Sequence, residues 1–295
     1  MIHYTNCPVC ASENIQPLFS VLDHTVSKKA FGICHCSKCT TRFTQDVPTA
    51  DEIGAYYRSG DYISHSDTKK GFINSLYHLV RKRTLQSKRR MIINESGRLT
   101  GEVLDIGCGT GAFLNAMQLA GWGITGLEPD ENAAKKAGEL YHIKTWEPEK
   151  LFELEPSSYH AITMWHVLEH VHDLHAYVKQ LAAMLAPGGK LFIAVPNYTS
   201  HDAAVYKQDW AAYDVPRHLY HFSPQSMELL INEHGLKLIS CKPMWFDGFY
   251  VSMLSEKYKN GKGNFIKACW NGLISNLKAI SNKKKCSSVI YVIGK

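Results

Sequence analysis

The stretch Glu102–Met117 reads EVLDIGCGTGAFLNAM. A short apolar run carries an acid, Asp105, and is followed by glycines at alternating positions, Gly107, Gly109 and Gly111. Glycine takes positive φ without steric cost and lets a ligand approach the main chain closely. The turn lacks the Gly-Lys-Ser/Thr ending of a phosphate-cradling loop. Its spacing is Gly-x-Gly-x-Gly, not the Gly-x-Gly-x-x-Gly of a dinucleotide turn. A carboxylate just ahead of the glycines suits a cationic ligand better than a phosphate. A second acid, Glu128 of GLEPD, ends the next strand-like run about 20 residues on, where a carboxylate can accept hydrogen bonds from ribose hydroxyls. S-adenosylmethionine, a nucleoside with a sulfonium, an ammonium and no phosphate, satisfies both acids. Opposite charges at short range in a partly buried cleft attract by ~4 kcal/mol at most.

Two further clusters carry chemistry. Cys7-Pro8-Val9-Cys10 and Cys36-Ser37-Lys38-Cys39 are Cys-x-x-Cys pairs with 25 residues between them. Four thiolates suit a tetrahedral Zn²⁺, and a complete sulfur set leaves no open position, so the expected zinc is structural. It would stabilise a segment too short for a large core. DWAAYDVPRHLYHFSP, Asp209–Pro224, gathers Trp210, Tyr213, Arg217, His218, Tyr220 and His221. Methyl transfer is an in-line displacement that often needs a proton removed from the acceptor. A histidine titrating near neutrality suits that task. His170, His218 and His221 are the candidates, and Arg217 could hold an acidic substrate. The run His166-Val167-Leu168-Glu169-His170 also fits a metallopeptidase pattern. That chemistry needs both histidines on one helical face, whereas this run directly follows the strand-like HAITMW.

The elements that must position these residues alternate between apolar strand-like runs and amphipathic segments from Glu102 onward, which predicts an α/β fold with a mainly parallel sheet. Strands are expected at Glu102–Ile106, Gly123–Leu127, His142–Trp146, Ala161–Trp165, Lys190–Val195, Lys237–Cys241 and Val289–Ile293. Helices are expected from near Gly111 to Gly121, from an Asp130 cap to about Leu140, over Leu174–Leu185, and from Ser223-Pro224 to Gly235. The organisation reads as a zinc-binding module over 1–46, a helical linker or lid over 47–100, and a catalytic domain over 101–295 with insertions at 196–222 and 246–288. Such insertions are commonly lids, substrate walls or contact surfaces.

The segments VLDIGCGTGAFL, GLEPD, ITMWHVLEHVHD and LAPGGKLFIAVPN occur in the order and spacing of class I S-adenosylmethionine-dependent methyltransferases. The resemblance spans about Glu102–Asn197. It implies a doubly wound, mainly parallel seven-stranded sheet of the Rossmann-like methyltransferase fold. It also implies that Asp105 and Gly107-Cys108-Gly109-Thr110-Gly111 hold the methionine part and Glu128-Pro129 the ribose. Trp146-Glu147 would approach the adenine, and Trp165-His166 would line the pocket. The family often has an acid where this chain reads Tyr159-His160. With the zinc knuckles and YYRSGDYISHS, Tyr56–Ser66, the chain resembles a bacterial subgroup acting on sugars and other metabolites. Tyr62, Ser64 and His65 are candidate lid residues.

Composition agrees with an enzyme of this kind. The 295 residues are 45% hydrophobic and carry a formal charge of +6, which permits an anionic partner without requiring one. No apolar run approaches the ~18 residues of a membrane span, the start has no signal-peptide pattern, and the cysteines do not form a disulfide framework. A reducing, cytoplasmic setting is expected. The expected function is methylation of a small metabolite such as a sugar, lipid or aromatic precursor. The alternatives are an RNA base methyltransferase and a non-catalytic cofactor-binding protein. Lys69–Arg98 is strongly basic, as an RNA surface would be, but Phe72, Ile73, Leu76, Leu79 and Val80 recur at helical spacing, so the lysines and arginines also fit the solvated face of a packed helix.

Overall fold

The computed structural model describes residues 1–57 and 72–295 and, within the helix opening at Phe72, the side chains from residue 83 onward. The expected lid residues Tyr62, Ser64 and His65 lie outside the described residues, as do the side chains of Phe72, Ile73, Leu76, Leu79 and Val80. Along the chain come β1 (Ile15–Leu22), β2 (Ala30–Cys36), β3 (Arg42–Thr44), α1 (Ala50–Ile53), α2 (Phe72–Ser96), β4 (Glu102–Ile106), α3 (Ala112–Gln118), β5 (Gly123–Leu127), α4 (Glu131–Tyr141) and β6 (Tyr159–Trp165). Then follow α5 (Leu174–Met184), β7 (Leu185–Pro196), α6 (His201–Tyr206), β8 (Tyr220–His221), α7 (Pro224–Glu233), β9 (Lys237–Pro243), α8 (Asp247–Asn260), α9 (Phe265–Ser281) and β10 (Ser288–Gly294).

Local chemistry sets the boundaries. Asp130 caps α4 by accepting the Ala133 N–H at 2.9 Å, and His142 closes the helix in the left-handed region at φ 58. Ser223 caps α7 by accepting the Ser226 N–H at 3.0 Å, and Pro224 occupies the first turn, where a missing N–H costs nothing.

A six-stranded sheet has the order β5-β4-β6-β7-β10-β9. β4 is parallel to both β5 and β6, and Asp105 stands in register with Gly126 on one side and Thr163 on the other. Six strands, not seven, make up this sheet among the described residues. The strand expected at His142–Trp146 is reduced to a single parallel bridge, Leu127 to Trp146. Pro148, two residues on, has no N–H for a ladder and opens a 3₁₀ turn over Pro148–Glu153. The four-stranded sheet has the order β1-β2-β3-β8, all antiparallel where β1, β2, β3 and β8 meet.

The chain forms two compact units. One comprises Met1–Tyr62, His166–Val178 and Ile193–Tyr291; the other comprises Ile63–Trp165, Lys179–Phe192 and Val292–Lys295. In the second unit Val103, Leu114, Met117, Trp122, Ala161 and Phe192 share a core with Ile92 of α2. In the first, Phe31 and Ile33 of β2 pack with Tyr206, Trp210 and Tyr213. The cysteine-rich segment and the aromatic Asp209–Pro224 stretch therefore share one hydrophobic cluster. They also share a sheet, since Arg42 of β3 is in register with His221 of β8. No helix among the described residues is long and apolar enough to cross a membrane.

Candidate functional site

The glycine turn follows β4 with Gly107, Gly109 and Gly111 at φ +70, +56 and +76. Gly107 and Cys108 both donate their N–H groups to the Leu127 carbonyl, at 2.8 and 3.0 Å, which ties the turn to β5. A Cβ on Gly111 would lie 3.1 Å from Ala137 Cβ, and one on Gly126 only 2.6 Å from Leu114 Cδ1. Substitution at either glycine would disturb the turn.

Two carboxylates are buried here. Glu128 accepts the Gly109 N–H at 2.6 Å and the Asp130 N–H at 2.9 Å. These bonds orient the carboxylate. Asp105 is 1% exposed and accepts the Thr163 hydroxyl at 2.5 Å. Burial pushes the Asp105 carboxyl up to about 7; the Thr163 hydroxyl and the Lys88 ammonium pull the other way, while Glu128 adds to the rise. Burial also pushes the Cys108 thiol up, so it remains protonated. Lys88 of α2 places Nζ 3.9 Å from the centre of the Trp165 ring, which meets Phe113 edge-on at 5.6 Å.

Trp146 donates its backbone N–H to Gly126 and accepts from Glu128, both at 2.9 Å. Its ring is 41% exposed, with Lys144 Nζ 4.0 Å from the centroid. Glu147 precedes the 3₁₀ turn. His160, where the family often carries an acid, accepts the Glu102 N–H on Nδ1 at 3.0 Å and serves the fold.

These residues fit S-adenosylmethionine. A buried pair of carboxylates favours a cation, the glycines expose main chain, and the Trp165 indole N–H is buried with no hydrogen-bond partner among the described residues. Such an orphaned donor costs free energy that an acceptor on a ligand would recover.

The other unit holds the histidines. His166, at φ +58, has Nε2 2.8 Å from Asp247 Oδ2 and Nδ1 3.3 Å from Glu169 Oε1. Burial opposes its charge, but Asp247 and Glu169 outweigh it and hold the imidazolium up at about 10. Glu169 is fully buried, and among the described residues neither carboxylate oxygen has a well-formed hydrogen bond. Burial alone would raise it, yet His166 draws it below the usual carboxylate range. His170 donates from Nδ1 to the Arg217 carbonyl at 3.1 Å, with the Tyr57 hydroxyl 2.9 Å away. Burial and then His218 hold it down at about 4, so it is neutral near pH 7. His218 donates from Nδ1 to the Ala212 carbonyl at 2.9 Å, and its Nε2 lies 3.9 Å from Asp214 Oδ2. The His170 and His218 rings meet edge to face at 4.6 Å. One atom each of Glu169, His170 and His218 lie within 4.8 Å of one another, a set a divalent metal could use. The metallopeptidase arrangement is absent: Leu168–His170 is a single 3₁₀ turn after β6, with no helical face shared by His166 and His170.

Two expected site residues are turned into the fold. Arg217, 1% exposed, donates Nε to Asp214 at 3.0 Å and Nη2 to Asp214 at 2.5 Å and to Asp23 at 3.3 Å. Its Nη1 donates to the Tyr56 carbonyl at 3.0 Å. A guanidinium committed in this way is a structural clamp, not a substrate anchor. His221 is buried and donates from Nε2 to the Thr44 hydroxyl at 3.1 Å, while Thr44 donates to the His218 carbonyl at 2.7 Å. Burial, then His218 and Arg42, hold it well below its ordinary value.

Cys7 and Cys39 place their sulfurs 3.5 Å apart, and Cys10 and Cys36 3.6 Å apart. All four lie within 4.8 Å of one another and none is in a disulfide. A tetrahedron of Zn–S bonds near 2.3 Å has S···S edges of roughly 3.8 Å, so the cluster fits the ion. Each knuckle has the same build. The residue after the second cysteine, Ala11 or Thr40, is left-handed, and its N–H returns to the carbonyl of the first cysteine at 2.9 Å.

Sequence reasoning missed Thr163 and Asp247 and read Lys88 only as part of a charged stripe. Thr163 becomes visible only when β6 is aligned beside β4.

Comparison with known proteins gives three findings. A family model described as a methyltransferase domain matches residues 77–241. A ubiquinone biosynthesis O-methyltransferase from Idiomarina loihiensis is 29% identical over 180 residues, 56% of this chain and 74% of the relative. The protein of the same name from Xanthomonas euvesicatoria is 28% identical over 49% of this chain and 66% of its own length. The human mitochondrial one is 26% identical over 50% and 44%. Among solved structures, a SAM dependent methyltransferase from Archaeoglobus fulgidus aligns with a TM-score of 0.50 at 17% identity, covering 73% of this chain and 94% of that one. Haemonchus contortus phosphoethanolamine N-methyltransferase 2 in complex with S-adenosyl-L-methionine also aligns at 0.50 and 17%, covering 71% and 52%.

Proposed function

Because this chain belongs to the methyltransferase-domain family, and is an S-adenosylmethionine-dependent methyltransferase, we propose that its acceptor is a small metabolite and that the methyl group goes to oxygen, with an aromatic hydroxyl as the first candidate. The observation that carries the cofactor half is the buried Asp105–Glu128 pair on either side of three positive-φ glycines. The acceptor half is supported by relatives named as O-methyltransferases.

When bound, S-adenosylmethionine supplies an electrophilic methyl on a sulfonium. Asp105 favours the cationic portion, Glu128 accepts from the ribose hydroxyls, and Trp165 donates its indole N–H. Trp146, with Glu147, offers a face to the adenine. His218 is the proposed base: the Ala212 carbonyl fixes its tautomer, and Asp214 would stabilise the imidazolium. His170, held down at about 4, is a weak base and takes a positioning role. Arg217 and His221 act through the residues they hold.

Cys7, Cys10, Cys36 and Cys39 would hold a structural Zn²⁺ that fixes the β1-β2-β3 segment, to which β8 adds His221. Nine cysteines, four of them assigned to the metal and none in a disulfide, suit a reducing compartment such as the cytoplasm.

The test is label transfer from S-adenosylmethionine to panels of phenols, sugars and amines, and to a cell extract before and after nuclease treatment. Label on a nuclease-resistant phenol or other hydroxyl compound is expected. Label only on nitrogen, or only on nuclease-sensitive material, would overturn the acceptor assignment while leaving the family intact.

A further inference from the structure

Helix α9 is packed inside out. Its inward face consists of Ala268, Asn271, Gly272, Ser275 and Ala279, all buried. The polar members are bonded within the fold: Asn271 donates to the Tyr206 hydroxyl at 2.9 Å and Ser275 to Asp202 at 2.8 Å. The close approach requires a small residue, because a Cβ on Gly272 would lie 2.6 Å from Phe249 Cδ1. The large apolar residues point the other way. Ile266, Trp270, Leu273, Leu277 and Ile280 follow a 4-3-4-3 spacing, which lines them along one face, and all are exposed; Ile266, Trp270 and Ile280 are 82%, 62% and 69% exposed. Phe265 at the start of the helix is 70% exposed. From Ile266 to Ile280 the stripe is about 21 Å long. A contiguous apolar face of that size is not left in water without a role.

The charges around the stripe identify its partner. From Lys257 to Lys285 the chain carries eight lysines and no acidic residue, and of these Lys267 pairs with Glu256 at 3.5 Å. Lys283, Lys284 and Lys285 stand directly after the helix, and Lys262 precedes it. Two copies meeting on this face would bring the lysines together with no carboxylate from the segment to offset them. A bilayer with anionic headgroups accepts both features. Tryptophan and phenylalanine settle at the headgroup level, aliphatic side chains enter the acyl boundary, and lysines are drawn to an anionic surface. We propose that α9 with its flanking lysines is a peripheral docking surface for an anionic lipid bilayer. The helix lies in the plane of the interface and does not span it.

Flotation of the full chain with vesicles of phosphatidylcholine alone, or mixed with phosphatidylglycerol, tests this. Binding is expected to the mixed vesicles and not to phosphatidylcholine alone. It should fall at least about tenfold in high salt, and likewise in the Lys283→Gln, Lys284→Gln, Lys285→Gln triple variant. Trp270→Ser with Leu277→Ser should lose it, and unchanged S-adenosylmethionine binding would confirm that this variant is folded. Absence of vesicle binding, binding that ignores salt and lipid charge, or a dimer in sedimentation that the Trp270→Ser, Leu277→Ser variant converts to monomer without any vesicle binding would each overturn the proposal. The last outcome would assign the face to a second copy.

Discussion

Lys88 Nζ sits 3.9 Å from the Trp165 ring centre, and its charge lowers the Asp105 carboxyl. A lysine from α2 thus occupies the carboxylate- and indole-lined environment that the sulfonium nucleoside also seeks. Lys88→Met should strengthen S-adenosylmethionine relative to uncharged-sulfur S-adenosylhomocysteine by about fivefold, on the order of 1 kcal/mol. Calorimetric titration of both ligands reads this directly, and an equal change for the two would contradict it.

Asp105 links cofactor affinity to stability in opposite senses. Its carboxyl is raised from 3.8 to about 7 in the folded chain. Between those values the folded state holds the proton more tightly, so this group makes the cofactor-free protein less stable as pH rises toward 7. Asp105→Asn should therefore raise the thermal midpoint of the cofactor-free protein at pH 8 while weakening S-adenosylmethionine binding by more than about tenfold. Melting curves and titrations on the same samples check both halves.

His166 has the reverse pH signature. A folded value of about 10 against 6.5 means that the stabilisation is complete below 6.5 and is lost as pH rises through about 10. Asp247→Asn removes the partner at 2.8 Å. Melting midpoints of this variant should change less over that interval than those of the parent, and parallel curves would count against the ion pair as the cause.

Removal of zinc should be felt well beyond the knuckles. Purified protein is expected to carry about one zinc per chain, and Cys36→Ser should lose it and melt earlier. Because β3 pairs with β8, hydrogen exchange should then rise at Tyr220 and His221 as well as near Cys7. A variant that lost metal with protection unchanged at Tyr220 and His221 would contradict that linkage.

Arg217 tests clamp against anchor. Arg217→Ala would leave Asp214 without its two-pronged partner and take one contact from Asp23, which keeps its bonds from Thr25, Val26 and Ser27, at a cost of about 3 kcal/mol. Arg217→Lys keeps the charge but loses the two-pronged contact to Asp214. A large drop in melting temperature for the alanine variant is expected. Unchanged stability with a raised KM would instead restore Arg217 as a substrate anchor.

What the sequence determined by itself was local. Alternating glycines imply positive φ, an acid beside them implies a cation, and a Cys-x-x-Cys pair brings two thiols to one turn; each follows from bonds and torsions within a few residues. The parallel sheet was legible because strands buried on both faces read as unbroken apolar runs. The tertiary structure alone decided which distant groups meet. Thr163 reaches Asp105 through strand register. Arg217, an anchor by its type and place in sequence, is drawn inward because Asp23, nearly 200 positions away, is buried beside it. Helix α9 has a pattern that reads equally well as a core helix. Its small residues face inward because the neighbouring α8 packs too close for anything larger, and that steric fact is written in no single segment of the chain.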